Sequence, residues 1–182
     1  MLLRRTAAGT LPIAILDAKE HLRIDGEPDD MVVSGLLSAA VAAVGEMAGR
    51  VMSAETWVAA YGDMAGDLTL PKSPVTDVTG ISYYTAGDVL TAASLADFYV
   101  FADDDKTIIR PKSGAWPIYS TRPDALQVTF TAGYGTLPHE LRAAALLKLA
   151  DLYANRGDGE GGKADMAIEA LVNMHRLGWV AA

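Results

Sequence analysis

The hydrophobic pattern of this 182-residue chain changes its period twice, and this change restricts the possible folds more than any other feature. Up to Met52, and again from Leu137, apolar residues recur at the spacing of amphipathic helices. Between these parts, aromatic and β-branched residues alternate with polar ones and turn signals interrupt them, which is typical of strands. The order predicts an α+β fold: a helical bundle with an inserted, mostly antiparallel β-sheet subdomain between the second and third long helical segments.

The changes of period also set the expected boundaries. We expect helical parts at residues 1–53 and 136–182 and the sheet at 54–135, together forming a single structural unit. The expected helices run from residue 12 to 25–26, from 29 or 30 to about 50, from 137 to about 155, and from 164 to 178. The expected strands are ETWVAAY, DLTL, VTGISYY, DFYVF, KTIIR and ALQVTFTAG.

The second predicted helix is apolar on nearly every face. Asp29 or Asp30 is its expected N-cap. Its uncharged run at residues 31–45 is shorter than the roughly 20 residues that cross a bilayer, so we expect a buried helix and no membrane partner. Such a helix is either central in its own domain or covered on its second side by another chain, and its many small residues would let a neighbouring backbone come close.

Composition excludes several classes of function. The chain contains no cysteine, so disulfide frameworks, zinc ribbons and thiol chemistry are excluded, and synthesis in a cytoplasm is expected. The net charge of -8 and the pI of about 4.7 give no attractive field for nucleic acid phosphates. A function that requires this protein to bind DNA tightly is therefore disfavoured.

No motif in the chain predicts catalysis or a bound cofactor. The Gly133-Tyr134-Gly135 turn lacks the further glycine and the lysine of a phosphate-binding loop, so we expect a strand-to-helix joint. Glu140 follows a histidine as in H-E-x-x-H, but Ala143 stands where the second histidine should be. The adjacent aspartates at 103–105 lack the spacing of a calcium loop and favour a solvated hairpin tip. We predict no catalytic residue, no cofactor and no metal.

The C-terminal stretch MHRLGWVAA is the least self-contained part of the chain. It follows a glycine-rich run at residues 157–162, which we expect to act as a hinge. It also combines Met, Arg and Trp, which are enriched where surfaces bind partners. Two interpretations stay open: a partner-binding segment, or a tail folded back on its own core.

Short motifs along nearly the whole chain resemble the head-tail connector, or adaptor, proteins of tailed bacteriophages and of phage-derived gene transfer agents. The motifs are LPIAILDAKEHLRID, an alanine-rich second helix ending in AGR, ETW, LPKSPVTDVTGISYYTAGD, GAWP with a later RP, and VTFTAGYG before LPHELRAAALLKLADLYANR. One departure is Ala14, where that family often has a Ser or Thr helix cap.

The resemblance implies a non-enzymatic virion assembly protein at the head-tail junction, made in the bacterial host cytoplasm. Its expected partners are the portal protein, a stopper or tail-terminator protein, and copies of itself in a ring, expected to be a dodecamer. DNA would pass through the channel without specific binding, which suits the acidic balance. The helical parts would form the connector body, and the C-terminal segment would bind the portal through Met174, His175, Arg176, Leu177, Trp179 and Val180.

Two other classes of function remain open. A nucleic-acid-binding accessory module of the packaging machinery would need a basic face, and 15 basic against 23 acidic residues argue against it. A small hydrolase using scattered carboxylates would need a deep pocket with convergent acids and perturbed pKa values. Salt-dependent DNA binding would favour the first class, and such a pocket would favour the second.

Overall fold

The fold combines helices with antiparallel sheets in two compact units. The computed structural model describes residues 1–25, 29–62, 66–103, 105–117, 120–155 and 164–178. Residues Met1–Gly9 and Ala54–Tyr134 form a sheet unit, and residues Thr10–Ser53 and Gly135–Ala182 form a helical unit. The described residues contain four α-helices and two sheets, which confirms the predicted α+β class.

The helical unit is built from α1 (Ile15–Leu22), α2 (Asp30–Ala48), α3 (His139–Ala154) and α4 (Asp165–Asn173). Helix α2 packs against the other three, and α3 also packs against α1 and α4. The side chains between them are fully buried and aliphatic: Val33, Leu37, Val44, Leu141, Leu149, Ile168 and Val172. Their burial at helical spacing is the source of the period seen in the sequence.

Helix α2 ends at a glycine that adopts a left-handed conformation. Gly49 has φ +68° and its N–H donates to the carbonyl of Glu46, while the N–H of Arg50 donates to the carbonyl of Gly45. This is the Schellman pattern, in which a glycine stops a helix without a steric penalty. The backbone direction after α2 is therefore set by one residue.

The sheet unit contains two antiparallel sheets. The five-stranded sheet has the order β1 (Leu2–Ala7), β2 (Glu55–Tyr61), β8 (Leu126–Ala132), β4 (Val75–Tyr84) and β5 (Leu90–Ala93). The three-stranded sheet has the order β3 (Leu68–Thr69), β7 (Thr107–Pro111) and β6 (Phe98–Ala102). Strands β6 and β7 form the hairpin that the aspartate-rich turn predicts.

One face of the five-stranded sheet forms the core of its unit. Along β8, Leu126, Val128 and Phe130 are fully buried, and the residues between them lie half-exposed on the opposite face. The buried Phe130 pairs with Trp57 in β2 and with Val78 in β4, which lie on its two sides. The alternation of ALQVTFTAG thus reports a strand with one buried face.

Several boundaries differ from the expectation, and the first helix is shorter than expected, at Ile15–Leu22. Residues 1–9 belong to the sheet unit, whereas we expected them in a helical part, because β1 pairs along β2 from Leu2 to Ala7. This strand has exposed Arg4 and Arg5 and little alternation, so its local sequence predicts no strand and the pairing comes from tertiary contact. The last helix ends at Asn173, whereas we expected it to continue to Gly178.

Only one face of α2 is buried in the described residues. Its opposite face exposes Met31 at 88% and Val32 at 43%, and Gly35 lies there too. By length and composition alone α2 is apolar enough to cross a membrane, as the core helix of a globular unit often is. Its other face packs within the helical unit, so the expectation of a buried helix holds for that face alone.

The two glycines inside α2 lie in different surroundings, and this generates a matched pair of variants. An added Cβ at Gly35 would meet nothing within 4 Å, whereas one at Gly45 would lie 2.8 Å from Met52 Cγ and 3.0 Å from the Arg50 carbonyl. We expect Gly35→Ala to stabilise the chain by about 1 kcal/mol through helix propensity, raising Tm by roughly 2–4 °C. We expect Gly45→Ala to lower Tm, because the side chain of Met52 and the backbone at Arg50 must move to make room for the added methyl group. Equal increases in thermal denaturation would contradict this.

Candidate functional site

The C-terminal segment, residues 174–178, folds back onto the end of α2. The N–H of Leu177 donates to the carbonyl of Ala48 at 3.1 Å, and Arg176 Nε donates to the carbonyl of Met47 at 3.2 Å. The last carbonyls of a helix have no partner within it, so these two bonds satisfy groups that α2 leaves open. This competing partner explains why α4 does not continue to Gly178.

Two charged residues, Arg50 after the end of α2 and Glu140 in α3, hold His175. Arg50 Nε donates to the carbonyl of His175 at 2.8 Å. The Nε2 atom of His175 lies 3.1 Å from Glu140 Oε2, at the first turn of α3. A hydrogen bond from its own backbone N–H and a second one from His175 hold the pKa of Glu140 below its usual value. The segment is therefore bound at both its backbone and its side chains.

Gly49 has a second role beneath the C-terminal segment. The side chain of Leu177 lies over it, and a Cβ added at Gly49 would be 3.4 Å from Leu177 Cδ1. Leu177 is half-buried as a result. The same glycine thus ends α2 and provides the surface on which the leucine packs.

Four of the six predicted partner-binding residues lie in this segment. His175 and Leu177 face the helical unit, whereas Arg176 is exposed and Met174 is exposed at 69%. The other two, Trp179 and Val180, and the expected hinge at residues 157–162 lie outside the described residues. The interpretation of a tail folded back on its own unit therefore fits residues 174–178, and the partner-binding role stays a prediction.

The partners of the segment were not found from the sequence. Arg50, Glu140 and Gly49 are distant from it along the chain, and no local pattern joins them to it. One signal was present in the AGR motif, since glycine after the last periodic residue is a typical helix stop. It indicates the end of α2, but not what packs there.

A second exposed surface lies on the β6–β7 hairpin. In β6, Tyr99 is exposed at 49% and Phe101 at 57%, and their ring centroids are 5.9 Å apart. At the tip, Asp103 Oδ1 accepts hydrogen bonds from the backbone N–H groups of Asp105 and Lys106 at 2.9 and 2.7 Å. Both aspartates are exposed, as a solvated tip predicts, and Asp104 lies outside the described residues.

A cavity in the sheet unit does not have the composition of a carboxylate-based active site. It has a volume of about 580 Å³ and lies in the sheet unit beside Phe98 and Trp116. Of its described lining residues, Asp97 alone is acidic, and Lys112 supplies a cation. Among the residues that the structure describes, no group of three His, Asp or Glu side chains is placed to hold a metal ion.

The predicted strand-to-helix joint is confirmed at the Gly-Tyr-Gly turn. Strand β8 ends at Ala132 and α3 begins at His139. Gly133 has φ +114°, a conformation that side chains rarely adopt, and its N–H donates to the carbonyl of Pro74 at 2.7 Å. The glycine thus has a structural role at the end of the strand.

Comparison with solved structures finds the same fold in particles that transfer genes. A chain of the neck of an empty GTA particle, computed with C6 symmetry, superposes with a TM-score of 0.86 at 24% identity, covering 100% of this chain and 98% of that one. Chains of a native gene transfer agent virion and of a native GTA neck, computed with C12 symmetry, each match with a TM-score of 0.82, 24% identity and the same coverage. No family model and no curated protein matches the sequence. This likeness establishes a shared fold over the full chain.

The lowered pKa of Glu140 gives the docking of the C-terminal segment a defined pH dependence. Its stabilising contribution is present above the unfolded value of 4.5 and is lost as the pH falls through the lower folded pKa. We expect Glu140→Gln to accelerate amide exchange at Leu177 at neutral pH, and to have no such effect once the native carboxyl is protonated. Glu169→Gln, on the exposed face of α4, is the matched control. Equal protection in all three proteins would contradict the role of Glu140.

Proposed function

We propose that the chain is a structural subunit of the neck of a phage-like particle, at the head-tail junction. The observation that carries this proposal is the shared fold over 100% of this chain and 98% of a GTA neck chain. The match therefore includes both the helical unit and the sheet unit. The sequence resemblance to head-tail connector proteins supports the same role independently of the superposition.

Within the neck, we assign the chain to the connector, or adaptor, ring beneath the portal. The neck structures with the same fold were computed with C6 and C12 symmetry, which supports a ring and is compatible with a dodecamer. The ring would extend the DNA channel from the portal and present a platform to a stopper or tail-terminator protein. The helical unit would form the connector body, with the β-sheet subdomain inserted into it.

The proposed role requires no chemistry. The net charge of -8 suits a channel through which DNA passes without being gripped, because phosphates and an acidic wall repel each other. The large cavity of the sheet unit has one acid and one lysine and so offers no pair of convergent carboxylates. A structural role therefore accounts for the described residues better than a hydrolase does.

The portal contact is proposed to lie in the C-terminal segment and the residues after it. Met174 and Arg176 present an exposed apolar and an exposed basic side chain, while Leu177 fixes the backbone beneath them. Exposed Met and Arg are residue types that interfaces favour. Trp179 and Val180 would extend this surface.

The test is comigration of the chain with a purified portal ring of the same particle, followed by light scattering. We expect the full chain to bind, and expect a chain ending at Gly178, and the variant Met174→Ser, to bind at least tenfold more weakly because hot-spot residues dominate interfaces. Removal of all residues after 161 is unsuitable, since it deletes the fully buried Ile168 and Val172 of α4.

The matched control is Met166→Ser, which changes a methionine exposed at 82% at the other end of α4. It should bind like the native chain. Failure of the full chain to bind the portal would overturn the connector role. Normal binding by the shortened chain and by Met174→Ser would instead show that the anchor lies elsewhere.

A further inference from the structure

We infer that neighbouring copies in the ring contact each other through their sheet units, with the β6–β7 hairpin of one copy seated in a groove beside strand β1 of the next. The inference rests on the proposed function, since it names the self-contact that a connector ring requires. It is carried by the two exposed edges of the sheet unit and by their opposite charges.

The first surface is the outer edge of the three-stranded sheet. Within the described residues, β6 pairs with β7 on one side and has no strand on its other side. Tyr99, Val100 and Phe101 are 49%, 42% and 57% exposed, so both faces of this edge are apolar and open to solvent. An exposed apolar edge strand is avoided in proteins that stay monomeric, because it is a template for pairing with another chain.

The second surface is a groove beside an edge strand of the five-stranded sheet. Strand β1 is the first strand of the five-stranded sheet and pairs with β2. A groove of about 420 Å³ runs along it, with Leu2, Val58 and Ala60 as apolar lining and Arg4 and Tyr84 as polar lining. Leu2 pairs with Ala60 and Arg4 with Val58, so these four side chains share one face of the sheet.

The groove and the hairpin have complementary chemistry. Leu2 is 59% exposed and precedes Arg4, an apolar residue followed by a basic one. The hairpin presents Phe101 followed by Asp103 and Asp105, an apolar residue followed by acidic ones. Seating the hairpin in the groove would bury the aromatic rings against the apolar lining and bring the acidic tip near the basic strand.

The charges that line the groove favour the binding of an acidic segment. Asp124 also lines the groove, but Arg122 donates to both of its carboxylate oxygens at 2.9 and 3.1 Å, which lowers the pKa of Asp124. Arg5, on the other face of β1, is bonded to Glu55 at 3.0 Å. Because the acid of the groove is paired, Arg4 gives this surface a local positive charge on a chain of net charge -8.

A contact between two different patches of the same chain is heterologous, and such contacts close into rings when the rotation allows it. Pairing of β6 with β6 of another copy would be isologous instead, and would stop at a two-fold dimer. A contact between two different surfaces therefore allows a ring, whereas a contact between two copies of the same surface gives a dimer. Finding which surfaces meet tests the inference directly.

The absence of cysteine allows a clean crosslinking test. We would mix Leu2→Cys with Phe101→Cys under mild oxidation, first at high concentration and then on a portal ring. The control is a mixture of Leu2→Cys with Val89→Cys, since Val89 is 62% exposed in the same unit. We expect a disulfide-linked heterodimer in the first mixture, at least tenfold above the control. A yield equal to the control under both conditions would overturn the inference. Predominant Phe101→Cys homodimers would overturn it in favour of β6–β6 pairing.

A charge exchange tests the same contact without a crosslink. Arg4→Glu and Asp105→Lys should each weaken self-association about tenfold, because each places like charges together. The two substitutions in one chain should restore association, since the hairpin and the groove then again carry opposite charges at these two positions. Asp77→Lys, on an exposed position of β4, changes the net charge as Asp105→Lys does and is the control. A double variant as weak as the single ones would overturn the inference, once circular dichroism has shown that each variant is folded.

The two proposals fail separately. Portal binding without the Leu2–Phe101 crosslink would leave the connector role standing and remove this interface. The crosslink without portal binding would leave the interface standing and remove the connector role.

Discussion

The pairing of β8 with both β2 and β4 is the interaction on which the sheet unit depends. All seven residues of β8 pair with β2, and its buried face places Phe130 between Trp57 and Val78. Strands β2 and β4 pair with β8 directly, and β1 and β5 join the five-stranded sheet only through them. The edge strands of this sheet are therefore β1 and β5.

The sequence predicted those elements whose burial follows their own period. The strand ALQVTFTAG and the helix that begins near Leu137 were predicted because each buries one regular set of side chains, such as Leu126 and Val128 or Leu141 and Leu149. Strand β1 was not predicted, because Arg4 and Arg5 are exposed and the strand exists through its pairing with β2. The local sequence indicates well which side chains of an element are buried, but it contains little information about which distant segment that element pairs with.

The candidate site follows the same rule. The composition of MHRLGWVAA predicted a segment that makes contacts, but the residues that hold it, Arg50 and Glu140, are more than thirty positions away and act through a carbonyl and a carboxylate. The predicted helix ran to Gly178 because helical period continues past Asn173, while the chain is turned by the open carbonyls of α2. Such competition between one helix's end and another segment cannot be read from spacing alone.

The way in which the C-terminal segment is held has a consequence for how its surface can vary. Leu177 is bonded through its backbone N–H and His175 partly through its carbonyl, so part of what holds the chain does not depend on side chains. Met174 is exposed, and Arg176 is exposed but bonds the Met47 carbonyl, so of these two side chains Met174 can change with the smaller effect on the path of the chain. A fold that is shared at 24% identity fits such an arrangement, since exposed side chains can change while Gly49 and the end of α2 keep the segment in place.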